Sequence, residues 1–242
     1  GNDVATIDDV MNVIEILSSR REYTKLNPFA VLLGKGEHQI TSSWTHQYDI
    51  RQHQVATTLG ITCSNITFFG TGKDTTTILG GFAIHNFENI TFKNMTVTNT
   101  SEDGSGIDMM NAKVELFDVA LKGCDDAGLY ILPSTSETTL VATRCEFANS
   151  DFGTIVRSSL ASATFNNCVF HDNKSDGIYG KQSTIHFHGE DTAIHSNGCV
   201  GISACDSAKV LIHLPSRHKT SYNNGGQDRE TNRGATITNV ED

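Results

Sequence analysis

Phe165-Asn166-Asn167-Cys168-Val169-Phe170, followed by Gly177-Ile178, decides the fold, because the same figure returns along most of the chain. The glycine before an apolar residue recurs as Gly106-Ile107, Gly128-Leu129, Gly153-Thr154-Ile155, Gly177-Ile178 and Gly201-Ile202. The intervals are 22, 25, 24 and 24 residues by subtraction of those positions. Upstream lies a second column, Met95, Val119, Cys145, Cys168 and Thr192, and two residues on a third, Val97, Leu121, Phe147, Phe170 and Ile194. Within each repeat apolar and polar residues alternate, which is strand periodicity in runs too short for helices.

Strands this short cannot hide an apolar face alone. Stacking one coil on the next at about 4.8 Å satisfies the backbone hydrogen bonds and aligns like residues into interior ladders. The turn residues agree: Asn94, Asp118 and Asn167 share one column, interrupted by Arg144, and Asn99, Gly123 and Asn149 share another, where a left-handed backbone is expected. An antiparallel sandwich would instead show hairpin signals and no fixed register. The expected fold is therefore all-β, a single-stranded right-handed parallel β-helix with coils of about 24 residues and an N-terminal capping α-helix.

The whole chain, 1–242, reads as one domain: a capping helix over 4–19, early coils over 28–81 with an insertion at 41–58, regular coils over 82–215, and a polar stretch with a final strand over 216–242. Ile7, Val10, Ile14 and Leu17 make one helical stripe, with Thr6 as N-cap and Asp9 in the first turn. Such a helix would cover the open edge of the first coil, which would otherwise template aggregation. Early strands are expected at Ala30–Gly34, Ile66–Gly70 and Thr77–Gly81, and a last strand at Ala235–Val240.

At 37% hydrophobic and 19% charged residues the chain is globular rather than disordered. With 3 prolines against 21 glycines, the turns must be made by Gly, Asn and Asp. No apolar run approaches the roughly 18–20 residues that span a bilayer, and no signal peptide is visible. A net charge of −10 argues against nucleic acid, and against an acidic polysaccharide unaided by a basic patch or a bridging cation. The six cysteines show no metal-knuckle spacing; Cys145 and Cys168 fall in an inward column and should be free thiols, which leaves the compartment open, with a secreted or cell-surface setting as the expectation.

The order of capping helix, Ala30–Ile40, Asn65-Ile66-Thr67-Phe68-Phe69-Gly70-Thr71-Gly72 and Thr77-Ile78-Leu79-Gly80-Gly81 resembles the pectin-lyase-like superfamily of right-handed β-helices. Asn89–Val97 is similar to the strand-turn-strand step common in that superfamily. The resemblance spans nearly the whole chain and is specific for fold, because the superfamily mixes lyases, glycosidases, esterases, epimerases and non-enzymatic adhesins. A partial likeness to polygalacturonases rests on Glu102-Asp103-Gly104 and, one coil later, Cys124-Asp125-Asp126, with Asp108 nearby. It implies carboxylates for acid and base work on a glycosidic bond, with Asp103, Asp125 and Asp126 as the catalytic set if the protein is an enzyme. The Gly-His-Gly and Arg-x-Lys segments of that family are absent: Asp151-Phe152-Gly153-Thr154 stands where the first should be. Esterase motifs and the arginine-rich site of pectate lyases are missing too. The expectation is accordingly of exposed, separately solvated carboxylates without catalysis.

Three other constellations compete with blander roles. Asp126 and Asp151 stack one coil apart near Asp103, Asp125 and Asp176, and would suit Ca²⁺ if a cation is held; otherwise no cofactor is expected. His188 and His213, and His171 and His195, should stack as pairs on adjacent coils, each half a zinc site with no obvious third ligand, so a surface ladder of neutral histidines is expected. The segment around Trp44, Tyr48, Arg51 and His53 could bind a sugar or protein, or pack the insertion onto the barrel. Sequons stand at Asn65, Asn89, Asn94, Asn99 and Asn173. The leading expectation of function is a non-catalytic β-helix scaffold, carbohydrate-binding or structural, with a polysaccharide or glycan as partner. A polysaccharide-active enzyme using turn carboxylates is the alternative, and a self-associating, protein-interaction or filament-forming module the third class.

Overall fold

The structure is a computed structural model that describes residues 6–18, 21–45, 54–215 and 217–240. It is the parallel β-helix the repeat implies. The coil winds through three faces. Face A holds Phe29–Leu32, Ile66–Phe69, the first halves of Ile90–Thr98 and Lys113–Lys122, then Thr138–Thr143, Ala161–Asn166, Thr184–His188, Lys209–His213 and Thr236–Asn239. Face B holds Gly36–Gln39, Thr76–Leu79, the second halves of the same two long strands, then Glu146–Ala148, Val169–His171, Ala193–His195 and Ser221–Tyr222. Face C holds Thr58–Gly60, Gly81–His85, Ile107–Met110, Ala127–Ile131, Phe152–Arg157, Ile178–Lys181, Ile202–Cys205 and Arg229–Thr231. Faces A and B share a 15-stranded sheet because the long strands turn the corner without a break; face C is an 8-stranded sheet of its own. Within each face a strand pairs in parallel with the one a coil earlier and the one a coil later.

The inward columns are those of the sequence. Phe147 pairs with Phe170 and Phe170 with Ile194, and the Phe147 and Phe170 rings stack with centroids 4.6 Å apart. Phe165 and Phe187 meet them from face A, edge to face with Phe170 at 5.0 and 6.1 Å. Such ladders bury the aromatic surface that holds a coil closed. The glycine column is a matter of close approach: a Cβ on Gly106 would sit 2.7 Å from the Gly128 carbonyl oxygen, and one on Gly128 or Gly177 would sit 2.8 Å from that of the next glycine.

The corner between faces A and B is left-handed at Asn94, Asp118, Arg144 and Asn167, with φ of 58°, 52°, 53° and 52°. Arg144 thus keeps the column's backbone although it breaks the residue pattern, and its guanidinium donates to Asp118 of the coil before at 2.9 and 2.6 Å. The second turn column differs from expectation. Gly123 and Asn149 are left-handed, but Asn99 is not. Asn99 is instead fully buried, its amide bonded to Thr57, Thr58, Ser101 and Ser105, and it stands against Gly81 as the buried Asn173 stands against Gly153 and Asn197 against Gly177.

The helix runs Asp9–Ser18. Thr6 and Asp9 cap it reciprocally: the Thr6 N–H and hydroxyl donate to the Asp9 carboxylate at 3.2 and 2.9 Å, and the Asp9 N–H donates back at 3.4 Å. Ile7, Val10, Met11 and Ile14 are buried on the core, while Leu17 is half-buried. Asp8 fixes the helix to the first coil through Thr41 and Ser42, accepting from both backbone amides at 2.9 and 3.0 Å. Burial would raise its carboxyl, but those bonds and the two hydroxyls outweigh it and hold the group below its ordinary range. At the other end, the stretch from 217 to 234 contains two short strands, Ser221–Tyr222 and Arg229–Thr231, and so forms a coil. Its interior is polar: Asn224 continues a ladder from Asn173 and Asn197, each side-chain amide donating to the next at 2.8 and 2.9 Å. Arg229 occupies the inward position beyond Ile202 and donates to Asn239 at 2.9 Å.

Candidate functional site

The outward side of face C is where unlike side chains converge. Register places Ala83, Asp108, Tyr130, Ile155, Tyr179 and Ser203 in one outward column. Two residues on, His85 and Met110 share a row, as do Arg157, Lys181 and Cys205. Alternation predicts such positions to be wet, yet Ala83, Asp108, Ile155, His85, Met110 and Cys205 are all buried. Part of the cover is the insertion. Trp44–Thr45 and Gln54–Val55 form an antiparallel pair, and the half-buried Trp44 ring lies on Gly60, where a Cβ would overlap it, and edge-on to His85 at 5.3 Å. Tyr48, Arg51 and His53, read with Trp44 as a binding segment, lie outside the described residues.

Arg157 organises the centre of this face. Its guanidinium lies 5.5 Å from the Tyr130 ring and 5.4 Å from the Tyr179 ring, bridging the two across Ile155. One of its N–H groups donates to the Tyr130 hydroxyl at 2.9 Å. The Tyr179 hydroxyl meets Cys205 Sγ at 3.0 Å, and that contact, followed by burial, pushes its pKa up to about 12. Lys181 pairs with Asp206 at 3.2 Å. Asp108, 4% exposed, lies one coil from Tyr130. Burial first, and the Asp126 charge second, push its carboxyl from 3.8 to about 7, against a hydrogen bond from Ser105.

The turn acids have mostly been put to structural use. Asp125 is exposed and accepts the Asp103 backbone N–H across one coil at 3.0 Å. Asp151 accepts the Ser175 hydroxyl at 3.0 Å, and Asp176 the Val200 N–H at 2.9 Å. Asp126 corrects the expectation of separate solvation. It is half-buried, accepts from the Ser105 hydroxyl at 3.3 Å, and its carboxyl is raised by burial and then, despite that bond, by Asp151 and Asp103. Ser105 therefore serves both Asp126 and Asp108, so the acids in a shared environment are 108 and 126, not the adjacent 125 and 126. The sequence pattern missed Asp108 as a principal because an outward Asp looks solvated.

Among the described residues, the one group of three or more His, Cys, Asp or Glu side chains with ligand atoms all within 4.8 Å is His186, His188 and His213. Asp126 and Asp151 gather no such third acid. The expected stacks form: His188 on His213 at 4.1 Å and His171 on His195 at 5.4 Å. What the inter-coil spacing missed is His186, two residues before His188 on the same strand, whose Nδ1 lies 3.0 Å from His213 Nε2. Its ring is held below the ordinary histidine range by burial and by His213. His171 runs the other way, raised by Glu146 at 3.3 Å and Asp172 at 2.6 Å against burial. Cys145 and Cys168 are buried free thiols, and burial drives the Cys168 thiol upward. Of the sequons, Asn99 and Asn173 are buried with their amides bonded inside the fold.

Among solved structures, the chain is similar to ORF18 of Geobacillus virus E2, at 12% identity and a TM-score of 0.39, covering 96% of this chain and 63% of that one. It is also similar to the A-modules of two mannuronan C-5 epimerases of Azotobacter vinelandii. The AlgE6 module shares 15% identity with a TM-score of 0.32, covering 97% of this chain and 75% of that one. The AlgE4 module shares 12% identity with a TM-score of 0.35, covering 97% and 76%. No curated protein matches the sequence significantly. A family model described as the right handed beta helix region matches residues 80–239, and with the parallel three-faced coil that these residues build, the chain belongs to the right-handed β-helix family.

Proposed function

We propose that face C is a glycan-binding surface and that the β-helix is its non-catalytic scaffold. The observation that carries this reading is the cluster in which Arg157 bridges Tyr130 and Tyr179 across the buried Ile155, with the Asp126 carboxylate near enough to act electrostatically on both Arg157 and Tyr130. Hydroxyl, guanidinium and carboxylate groups gathered on one surface suit a hydroxyl-rich chain, which offers many weak donors and acceptors. Both tyrosine faces are already engaged by Arg157, so recognition would run through hydrogen bonds at the edge of this cluster. Lys181 is neutralised by Asp206, and the surrounding turns are acidic, which favours a neutral glycan over a polyuronate.

The test is affinity electrophoresis against a panel of neutral and acidic polysaccharides. Retardation by a neutral polymer, lost in Arg157→Ala with the circular dichroism unchanged, supports the reading; no retardation by any polymer, or undiminished retardation in the variant, refutes it. A catalytic alternative is favoured by one observation, the Asp108 carboxyl at about 7, which could give and take a proton near neutral pH. Shortening of the retained polymer, abolished by Asp108→Asn, would put that reading first.

A further inference from the structure

His186, His188 and His213 sit on face A, away from the glycan-binding row, and face C needs none of them. The strand Thr184–His188 alternates, with Ile185 and Phe187 fully buried, so His186 and His188 emerge side by side on the outer surface. The next coil brings His213 opposite His188. Two histidines at i and i+2 on one strand and a third across the ladder make a triangle whose positions are fixed by the sheet rather than by a loop. That is the rigidity a coordination site needs.

The spacing fits a small dication. Tetrahedral coordination with Zn–N bonds of 2.0–2.1 Å puts ligand nitrogens about 3.3–3.4 Å apart. His186 Nδ1 and His213 Nε2 are 3.0 Å apart, and the three donor atoms all fall within 4.8 Å of one another. His188 lies nearly parallel to His213, with 7° between the ring planes. Bringing its nitrogen into the triangle takes rotation about χ2, a soft torsion in histidine. Imidazole nitrogens select zinc and its transition-metal neighbours over calcium or magnesium. The rings are half-buried, so a fourth position faces water. Three protein ligands with an open fourth position is the pattern of accessible rather than purely structural zinc sites.

We propose that His186, His188 and His213 form a binding site for a transition-metal dication of the zinc class, held by three imidazole nitrogens with water in the fourth position. The metal takes the place of the direct contact between His186 Nδ1 and His213 Nε2, and it cross-links adjacent coils.

The experiment is a calorimetric titration of the untagged full chain, stripped with chelator, with Zn²⁺ near neutral pH, repeated with Co²⁺ under visible absorption. Saturation at one equivalent is expected, with ligand-field bands of a nitrogen-rich, low-coordinate Co²⁺ site. His188→Asn and His186→Asn should each weaken Zn²⁺ binding on the order of 100-fold, as befits loss of one of three protein ligands. His195→Asn, which alters the other histidine stack, should leave the affinity unchanged. All three sites are half-exposed, and a circular dichroism spectrum shows whether each variant keeps the coil. No saturable uptake, or uptake that survives in the His188→Asn, His213→Asn double variant, overturns the proposal.

Discussion

Asp108→Asn should stabilise the protein at alkaline pH and leave it nearly unchanged in acid. The carboxyl titrates at about 7 in the folded chain against 3.8 as its ordinary value. Below pH about 4 it is protonated whether the chain is folded or not, and its burial carries no ionisation penalty. As pH rises from about 4 to about 7, the unfolded chain releases the proton while the folded one keeps it, so stability falls. The loss is complete once the folded group ionises. At about 1.4 kcal/mol per pH unit, the gap between the two values amounts to about 4 kcal/mol. Asparagine is close in shape, can still meet the Ser105 hydroxyl, and carries no charge at any pH. The assay is urea unfolding at pH 4 and pH 8, followed by fluorescence of the single tryptophan. Trp44 reports locally, since it packs on His85, whose strand pairs with that of Asp108. Titrations of groups that do not feel the Asp108 charge are common to both proteins and cancel in the difference; those that do, Asp126 first, are part of the effect measured. A variant-minus-parent stability that changes by less than about 1 kcal/mol between the two pH values would refute the burial argument, and with it the catalytic alternative for this group.

Phe170→Ala should cost about 3–5 kcal/mol, because the ring is fully buried between Phe147, Phe165 and Phe187; an unchanged urea midpoint would contradict the packing. Ile14→Asp places a charge on the buried side of the cap, and static light scattering should show concentration-dependent self-association as the first coil is uncovered; a monomeric, equally stable variant would remove the helix from that role. Asn197→Ala should cost about 2–4 kcal/mol by stranding partners on both sides of the amide ladder, and the backbone amide of Asn173, which donates to the Asn197 side chain at 3.2 Å, should exchange its hydrogen faster than in the parent.

The core was legible because its ladders obey two periods at once, alternation along the strand and about 24 residues between coils. Phe147, Phe170 and Ile194 satisfy both, and the pairing follows. Where either period fails, the reading fails with it. The last coil reads as a polar stretch because Asn224 follows Asn197 by 27 residues and because serine and arginine, Ser221 after Ile194 and Arg229 after Ile202, fill positions that are apolar elsewhere. His186 was missed because its partner on the same strand is two residues away, a relation that a search between coils does not test. Asp108 stands out in the sequence only as a neighbour of the turn acids because alternation assigns it to solvent, and its burial depends on what surrounds an outward face. Sequence period speaks to which side of the wall a residue occupies. It is silent on whether the outside of that wall is covered.

On the three faces, each strand bonds only to strands of the coil before it and the coil after. The heritable unit of change in such a protein is therefore the turn, not the residue. Tandem duplication of Gly153 through Asp176 would lengthen the molecule by one rung of about 4.8 Å, with every glycine, phenylalanine and asparagine finding an identical neighbour. Deleting a single residue from the same segment would instead rotate all side chains downstream of it to the opposite wall until the next turn absorbed the error. Gene copying in whole turns is the cheap path and small indels the forbidden one, so axial length can drift across descendants while the cross-section stays fixed.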